Sequence, residues 1–185
     1  MCIRGCLFSY FSRSSKINTV SINTALLGEL KHESSGTRKI LERVPTDKLD
    51  WQPHEKSMKL GRLAKHIADL PFWFERIINA DEFDILTANI NRELPQNTES
   101  ILKLFDERLA AAIQVLETVT DETLNQQWTF RRGEKIMFQM PKKVALRSLA
   151  FNHVYHHRGQ LSVYLRLLNI PVPGMYGPSA DEAVF

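Results

Sequence analysis

Three histidines, His153, His156 and His157, crowd into the segment FNHVYHHRGQ. Imidazole is the commonest side-chain metal ligand, and two of them four apart on a helix can chelate one ion. Successive helical residues turn by about 100°, so His153 and His157 share a face while His156 falls on the opposite flank. The apolar residues Leu146, Leu149, Tyr164 and Leu167 lie within roughly 40° of His153, which directs that ring into the core. Desolvating two imidazoles without a shared partner is costly, and this favours a common ion over two separate hydrogen bonds. The motif is not that of a zinc protease, because H-E-x-x-H needs a glutamate where Val154 stands.

A third ligand must come from another helix, and His66 is the candidate. It lies about 60° from Leu63 and about 40° from Leu70, at the edge of its helix's apolar stripe. Three neutral imidazoles leave coordination positions open for water or substrate, the pattern of a catalytic rather than a structural site. Ligand softness does not choose the ion, since imidazole suits zinc, nickel, iron and copper alike. His32, on the polar flank of the first helix, and His54, in a proline-marked loop, are expected at the surface.

Other residues near the triad could also serve it. Gln160, about 20° from His153, either orients a ligand, bonds a substrate or makes a structural hydrogen bond. Arg158, on the far side of the helix, is expected to pair with an acid or a backbone carbonyl. Asp69, three residues after His66, either accepts that ring's N–H or faces solvent, and the solvent-facing position is favoured. Tyr176, Ser179, Asp181 and Glu182 sit in a proline-stiffened tail that either folds over the pocket, offering Tyr176, or packs on the end of the helices. No general base stands out.

Four helical segments must position these groups. The first spans about Ile22 to Arg43, with Leu26, Leu30, Thr37 and Leu41 at three- and four-residue spacings. The second spans about Leu60 to Asn79, with Leu63, Ile67, Leu70, Phe74 and Ile77 on one side. Pro71 inside it removes the bond to the carbonyl of Ile67 and predicts a kink. The third runs from about Glu99 to Val119 behind Thr98 as N-cap, burying Ile101, Phe105, Leu109, Ile113 and Leu116. In WTFRRGEKIMFQMP, alternating aromatics about Gly133 predict a small hairpin or ordered loop. The fourth helix spans about Lys142 to Leu168, and NIPVPGMYGPSADE cannot continue it. The expected fold is all-α: a four-helix bundle with a small hairpin or loop insertion before the last helix.

The 185 residues suit one domain, read as a bundle over residues 21–185 behind a flexible extension, residues 1–20. That extension holds both cysteines, Cys2 and Cys6, with no partner at zinc-finger spacing, and lacks the cleavage site of a signal peptide. The net charge of +3 traces to Arg4, Arg13 and Lys16, which precede any acidic residue. No basic stripe interleaved with aromatics appears, so a nucleic-acid partner is not expected. No apolar run is long enough for a membrane span, and the body without cysteine pairs fits the cytoplasm.

The segments DWQPHEKSMKLGRLAKHIADLPFW and NHVYHHRGQLSVYLRLLNIPVPGMYGPSADE together resemble the DinB family of bacterial metal-binding proteins. The resemblance runs from about Ile22 to Glu182. It implies an up-down-down-up four-helix bundle, a homodimer, and a metal triad placed on His66, His153 and His157. The family's name records DNA-damage induction of one member and implies no DNA binding. Members with assigned activity are metal-dependent thiol S-transferases and a maleylpyruvate isomerase. The resemblance therefore implies a divalent cation (zinc, nickel, iron or manganese, with zinc or nickel favoured). It also implies a small-molecule thiol and an electrophile as partners, in stress or detoxification. Two rivals stand beside this transferase: a metal-binding stress protein without turnover, and a metal-dependent hydrolase.

Overall fold

The computed structural model describes residues 20–90 and 93–182. The expected extension with Cys2 and Cys6 lies outside the described residues, apart from Val20. Helix α1 spans Ile22–Leu41, followed by a 3₁₀ turn at Thr46–Lys48, α2 at Leu60–Asp69 and α3 at Phe72–Ile78. Strand β1 covers Glu82–Asp84, α4 Thr98–Thr118 and α5 Asp121–Asn125. Strands β2, Gln127–Arg132, and β3, Lys135–Pro141, lead into α6, Lys142–Leu146, a π-helical turn, Arg147–Phe151, and α7, Asn152–Leu167. Helix α4 packs on α1, α2 and α3, while α7 lies against α2 and α1.

The helical stripes behave as their periodicity requires. Leu26, Leu30, Thr37 and Leu41 of α1 are buried, as are Leu63 and Ile67 of α2, Leu70 at its C-cap, and Phe74 and Ile77 of α3. Ile101, Phe105 and Leu116 of α4 are buried with them, and Leu109 and Ile113 are partly buried. Pro71 does more than kink its helix. It separates α2 from α3, with the Leu70 N–H turning back to the Ile67 carbonyl at 3.3 Å. The N-cap of α4 is Asn97, not Thr98. Its side chain accepts from the Ser100 N–H at 2.8 Å, and the Asn97 N–H donates to the Ser100 hydroxyl at 3.3 Å, a reciprocal cap unavailable to Thr98.

The all-α expectation is corrected: the chain is mostly helical but carries a three-stranded sheet in the order β1-β2-β3. The hairpin forms as expected, with Arg132 opposite Lys135 and Gly133 at φ +62° supplying the turn. Strand β1 adds in parallel, Phe83 beside Phe130. Packing explains it, because Phe83 meets Trp73 at 5.0 Å and Phe130 at 5.9 Å between ring centres. The Asp84 carboxylate also ties the sheet, accepting from the Leu86 and Gly133 N–H groups at 2.9 and 3.0 Å. At the end of β3 the buried Lys142 ammonium reaches the Ile78 carbonyl and Asp81, both within 3.1 Å.

The helix expected over Lys142 to Leu168 is not uniform. The Asn152 N–H bonds to the Arg147 carbonyl five residues back, the signature of a π turn. Glu29 of α1 pins it, accepting from Arg147 Nη2 at 2.8 Å and from the Tyr155 hydroxyl at 2.7 Å. The Arg147 bond holds the Glu29 carboxyl below its ordinary range, while burial and the Glu29 bond push the Tyr155 phenol up. Leu167 shares α7 with His153 but is its last residue, where the helix runs out beyond the core. Leu146 is buried but Leu167 is 56% exposed, and Leu161 and Leu165 fill the core instead.

Candidate metal site

His66 projects from α2 and His153 and His157 from α7, and the three rings converge. Their centroids are 4.9 Å (His66 to His153), 4.5 Å (His66 to His157) and 4.7 Å (His153 to His157) apart. One ring nitrogen from each lies within 4.8 Å of the others, and the two Nε2 atoms of His66 and His153 are 3.2 Å apart. Donors held about 2.0–2.1 Å from one tetrahedral ion would stand about 3.3 Å apart, so the set could hold a divalent cation with small adjustments.

The protonation state suits ligation. Burial, reinforced by the neighbouring imidazoles of His157 and His153, pushes His66 down to about 4. Burial lowers His153 and His157 as well. All three rings are therefore neutral near pH 7, with lone pairs available. Their orientations are also held. His153 Nδ1–H donates to the Leu149 carbonyl at 3.3 Å, and His157 Nδ1–H donates to Gln160 Oε1 at 2.7 Å. Both bonds leave Nε2 as the free donor atom. The Gln160 amide in turn donates to His156 Nε2 at 3.1 Å, on the exposed flank. Gln160 thus acts on the triad as a hydrogen-bond partner of one ring, and His156 stays outside it. His32 and His54 are exposed, as expected.

The remaining predicted residues divide. Arg158 does pair with an acid, but it is buried rather than merely turned away. Helix α7 is covered on two sides, so its face opposite the triad packs on α1. There Arg158 bonds Glu33 Oε2 at 2.7 Å and both the Thr37 hydroxyl and the Glu33 carbonyl at 3.2 Å. The tail docks on this same side. The Tyr176 hydroxyl donates to Glu33 at 3.0 Å and contacts Arg158, which places it away from the triad. Asp181 closes on Arg166 and the Val172 N–H at 2.9 and 2.8 Å, and Glu182 on the Gly174 N–H at 2.7 Å. Asp69 neither bonds His66 nor stands free in solvent: it is ion-paired with Arg108 at 2.8 Å, its side chain 21% exposed.

The triad is not sealed. His66 and His157 form part of the wall of an open cleft of about 630 Å³, lined further by Met58, Arg62, Lys65, Asp69, Ile90 and Leu94. Sequence reasoning singled out Asp69 but missed the rest of this lining. Arg62, four before His66, was detectable by helical spacing. Ile90 and Leu94, from the irregular segment before α4, carried no such signal.

The model of the DinB family matches residues 17–183. Two proteins of Bacillus subtilis strain 168 are similar in sequence. YrdA is 29% identical over 152 residues, covering 81% of this chain and 85% of YrdA. YjoA is 30% identical over 135 residues, covering 70% and 80%. Among solved structures, a DinB-like protein of Bacillus cereus ATCC 10987 superposes with a TM-score of 0.67 at 24% identity, covering 84% of this chain and 98% of that one. The structure of YjoA gives a TM-score of 0.63 at 21% identity over 80% and 96%. These two likenesses concern the fold alone. Among the described residues, no helix is long and apolar enough to cross a membrane.

Proposed function

The chain belongs to the DinB family, and from that premise we propose that it is a metal-dependent transferase of the thiol S-transferase type, serving stress or detoxification. The four long helical stretches are read as the family's bundle, and a cytoplasmic homodimer is part of the same proposal. The carrying observation is that the three imidazoles border an open cleft of about 630 Å³ instead of being enclosed by side chains. A divalent cation held by His66, His153 and His157, zinc or nickel by preference, would supply the Lewis acidity that favours thiolate over thiol.

The chain's own residues supply the rest. Leu149 and Gln160 engage Nδ1 of the His153 and His157 rings and leave each Nε2 free to ligate. Met58, Ile90 and Leu94 offer apolar surface for an electrophile beside the triad. The thiolate sulfur forms a bond to the electrophilic carbon, and the leaving group departs with its electron pair. The thiol proton passes to solvent, since the carboxylate in the cleft wall, Asp69, is held by Arg108 at 2.8 Å. That same pairing weighs against the hydrolase, which needs a carboxylate free to activate water. The openness of the cleft weighs against a scaffold without turnover.

The test is conjugation of a thiol panel to 1-chloro-2,4-dinitrobenzene by the zinc- or nickel-loaded protein, followed as thioether absorbance. Turnover above that of the His66→Ala/His153→Ala/His157→Ala variant is expected for at least one thiol. Equal rates across the whole panel would refute the transferase.

A further inference from the structure

Helix α2 presents Arg62, Lys65, His66 and Asp69 to the cleft, at spacings of three and four that share one helical face. The charges along this stripe are unequally satisfied. Asp69 is neutralised by Arg108 at 2.8 Å, and Lys65 is engaged by another group. Arg62 is exposed and makes no hydrogen bond or ion pair among the described residues. On its other side Arg62 borders a second cavity with Asp47 and Asp50. Those carboxylates already have cations, Lys48 at 3.3 Å and Lys59 at 2.7 Å. Arg62 therefore offers its guanidinium to the cleft, one helical turn from His66, where side chains four apart stand about 5–6 Å from each other at Cβ.

We propose that Arg62 recognises a carboxylate on the small molecule whose reactive end meets the histidine triad. The planar guanidinium matches the two oxygens of a carboxylate, whereas a lysine offers only a point charge. The substrate class is then a short thiol carrying a carboxylate within one helical turn's reach of its sulfur, with Met58, Ile90 and Leu94 covering its apolar part. This inference rests on the metal-dependent transferase reading for the role of the sulfur, but not for the anion contact itself.

Cobalt(II) loaded onto the full chain reports a joining thiolate by a sulfur-to-metal charge-transfer band. Titrations with 3-mercaptopropionate and 2-mercaptoethanol compare an anionic with a neutral thiol, in the parent protein and in Arg62→Met. The affinity ratio of the anionic to the neutral thiol is expected to fall about fivefold in Arg62→Met, the upper range for an exposed ion pair. Arg62→Lys should keep an intermediate ratio, and the affinity of 2-mercaptoethanol should not change in either variant. An unchanged ratio in Arg62→Met overturns the proposal while leaving the metal reading standing. If the chain binds no cobalt, the metal reading fails by itself. The anion contact is then judged on metal-free protein by adding succinate and following the Arg62 Nε–H resonance. A saturable shift supports the carboxylate contact, and no shift overturns it.

Discussion

Replacing Gln160 by leucine tests whether the triad depends on partners behind it. The Gln160 side chain accepts the His157 Nδ1–H at 2.7 Å and donates to His156 Nε2 at 3.1 Å. An amide in this orientation specifies the tautomer of His157, leaving Nε2 unprotonated and free to ligate. Leucine keeps similar bulk and removes the acceptor, so the ring is free to rotate and to place its proton on Nε2. Loss of a hydrogen-bond partner behind a metal-bound histidine typically lowers metal affinity about 10–100-fold, or about 1.4–2.7 kcal/mol. The cost to folding should be smaller, about 0.5–1.5 kcal/mol for one half-buried hydrogen bond. The assay is zinc affinity by competition with a chromophoric chelator, with urea unfolding of the metal-free protein alongside. His156→Ala is the control, because its bond to Gln160 is on the exposed flank and its loss leaves the His157 contact in place. If Gln160→Leu binds zinc as tightly as the parent, the tautomer reasoning is wrong.

Three further expectations follow from the packing. Arg158→Met strands the Glu33 carboxylate, whose side chain is 13% exposed, and should destabilise the fold by about 3–5 kcal/mol in urea unfolding; a loss below 1 kcal/mol would show that the Arg158–Glu33–Tyr176 cluster is incidental. Gly133→Val forces a β-branched residue to a φ of +62°, at a cost of about 1–2 kcal/mol, visible as a lower Tm with the triad's zinc affinity unaffected. The Asp181 carboxyl is pulled down to about 2 by Arg166 and then by the Val172 N–H; its folded pKa lies below the ordinary 3.8, so it stabilises the docked tail above about 3.8 and loses that contribution as pH falls towards 2. A carboxyl NMR titration of Asp181 centred near 4 would contradict this.

How much could be read from residues alone depended on whether local or long-range contacts decided each feature. The triad was legible because both histidine-bearing helices advertise their faces: Leu63, Ile67 and Leu70 fix the side on which His66 emerges, and the i, i+4 pair fixes its own. The break at Pro71 was visible as a missing donor, though not its depth, which depends on α3 repacking Phe74 against Phe151 at 5.3 Å between ring centres. Strand β1 was not visible. Three residues are too few for an alternating pattern, and β1 is held by aromatic contacts from α3 and β2. The π turn was equally hidden, since RSLAF is ordinary helix-forming sequence and Glu29, far away in α1, holds it. The same long-range dependence explains Arg158. Its partner type was foreseen, but burial follows from α1 covering the back of α7, which no spacing within α7 reveals. Between Asn97 and Thr98, both good caps, the reciprocal bond with Ser100 decided.

The central claim is that His66, His153 and His157 bind one ion together, and metal content measures it most directly. After saturation with zinc and removal of excess, inductively coupled plasma mass spectrometry of the parent protein should find about one zinc per chain, as a single three-ligand site requires. Each single alanine substitution should lower retention, and the triple variant should retain almost none while keeping its helical circular dichroism. A folded triple variant that still holds zinc at the parent's stoichiometry would contradict the assignment.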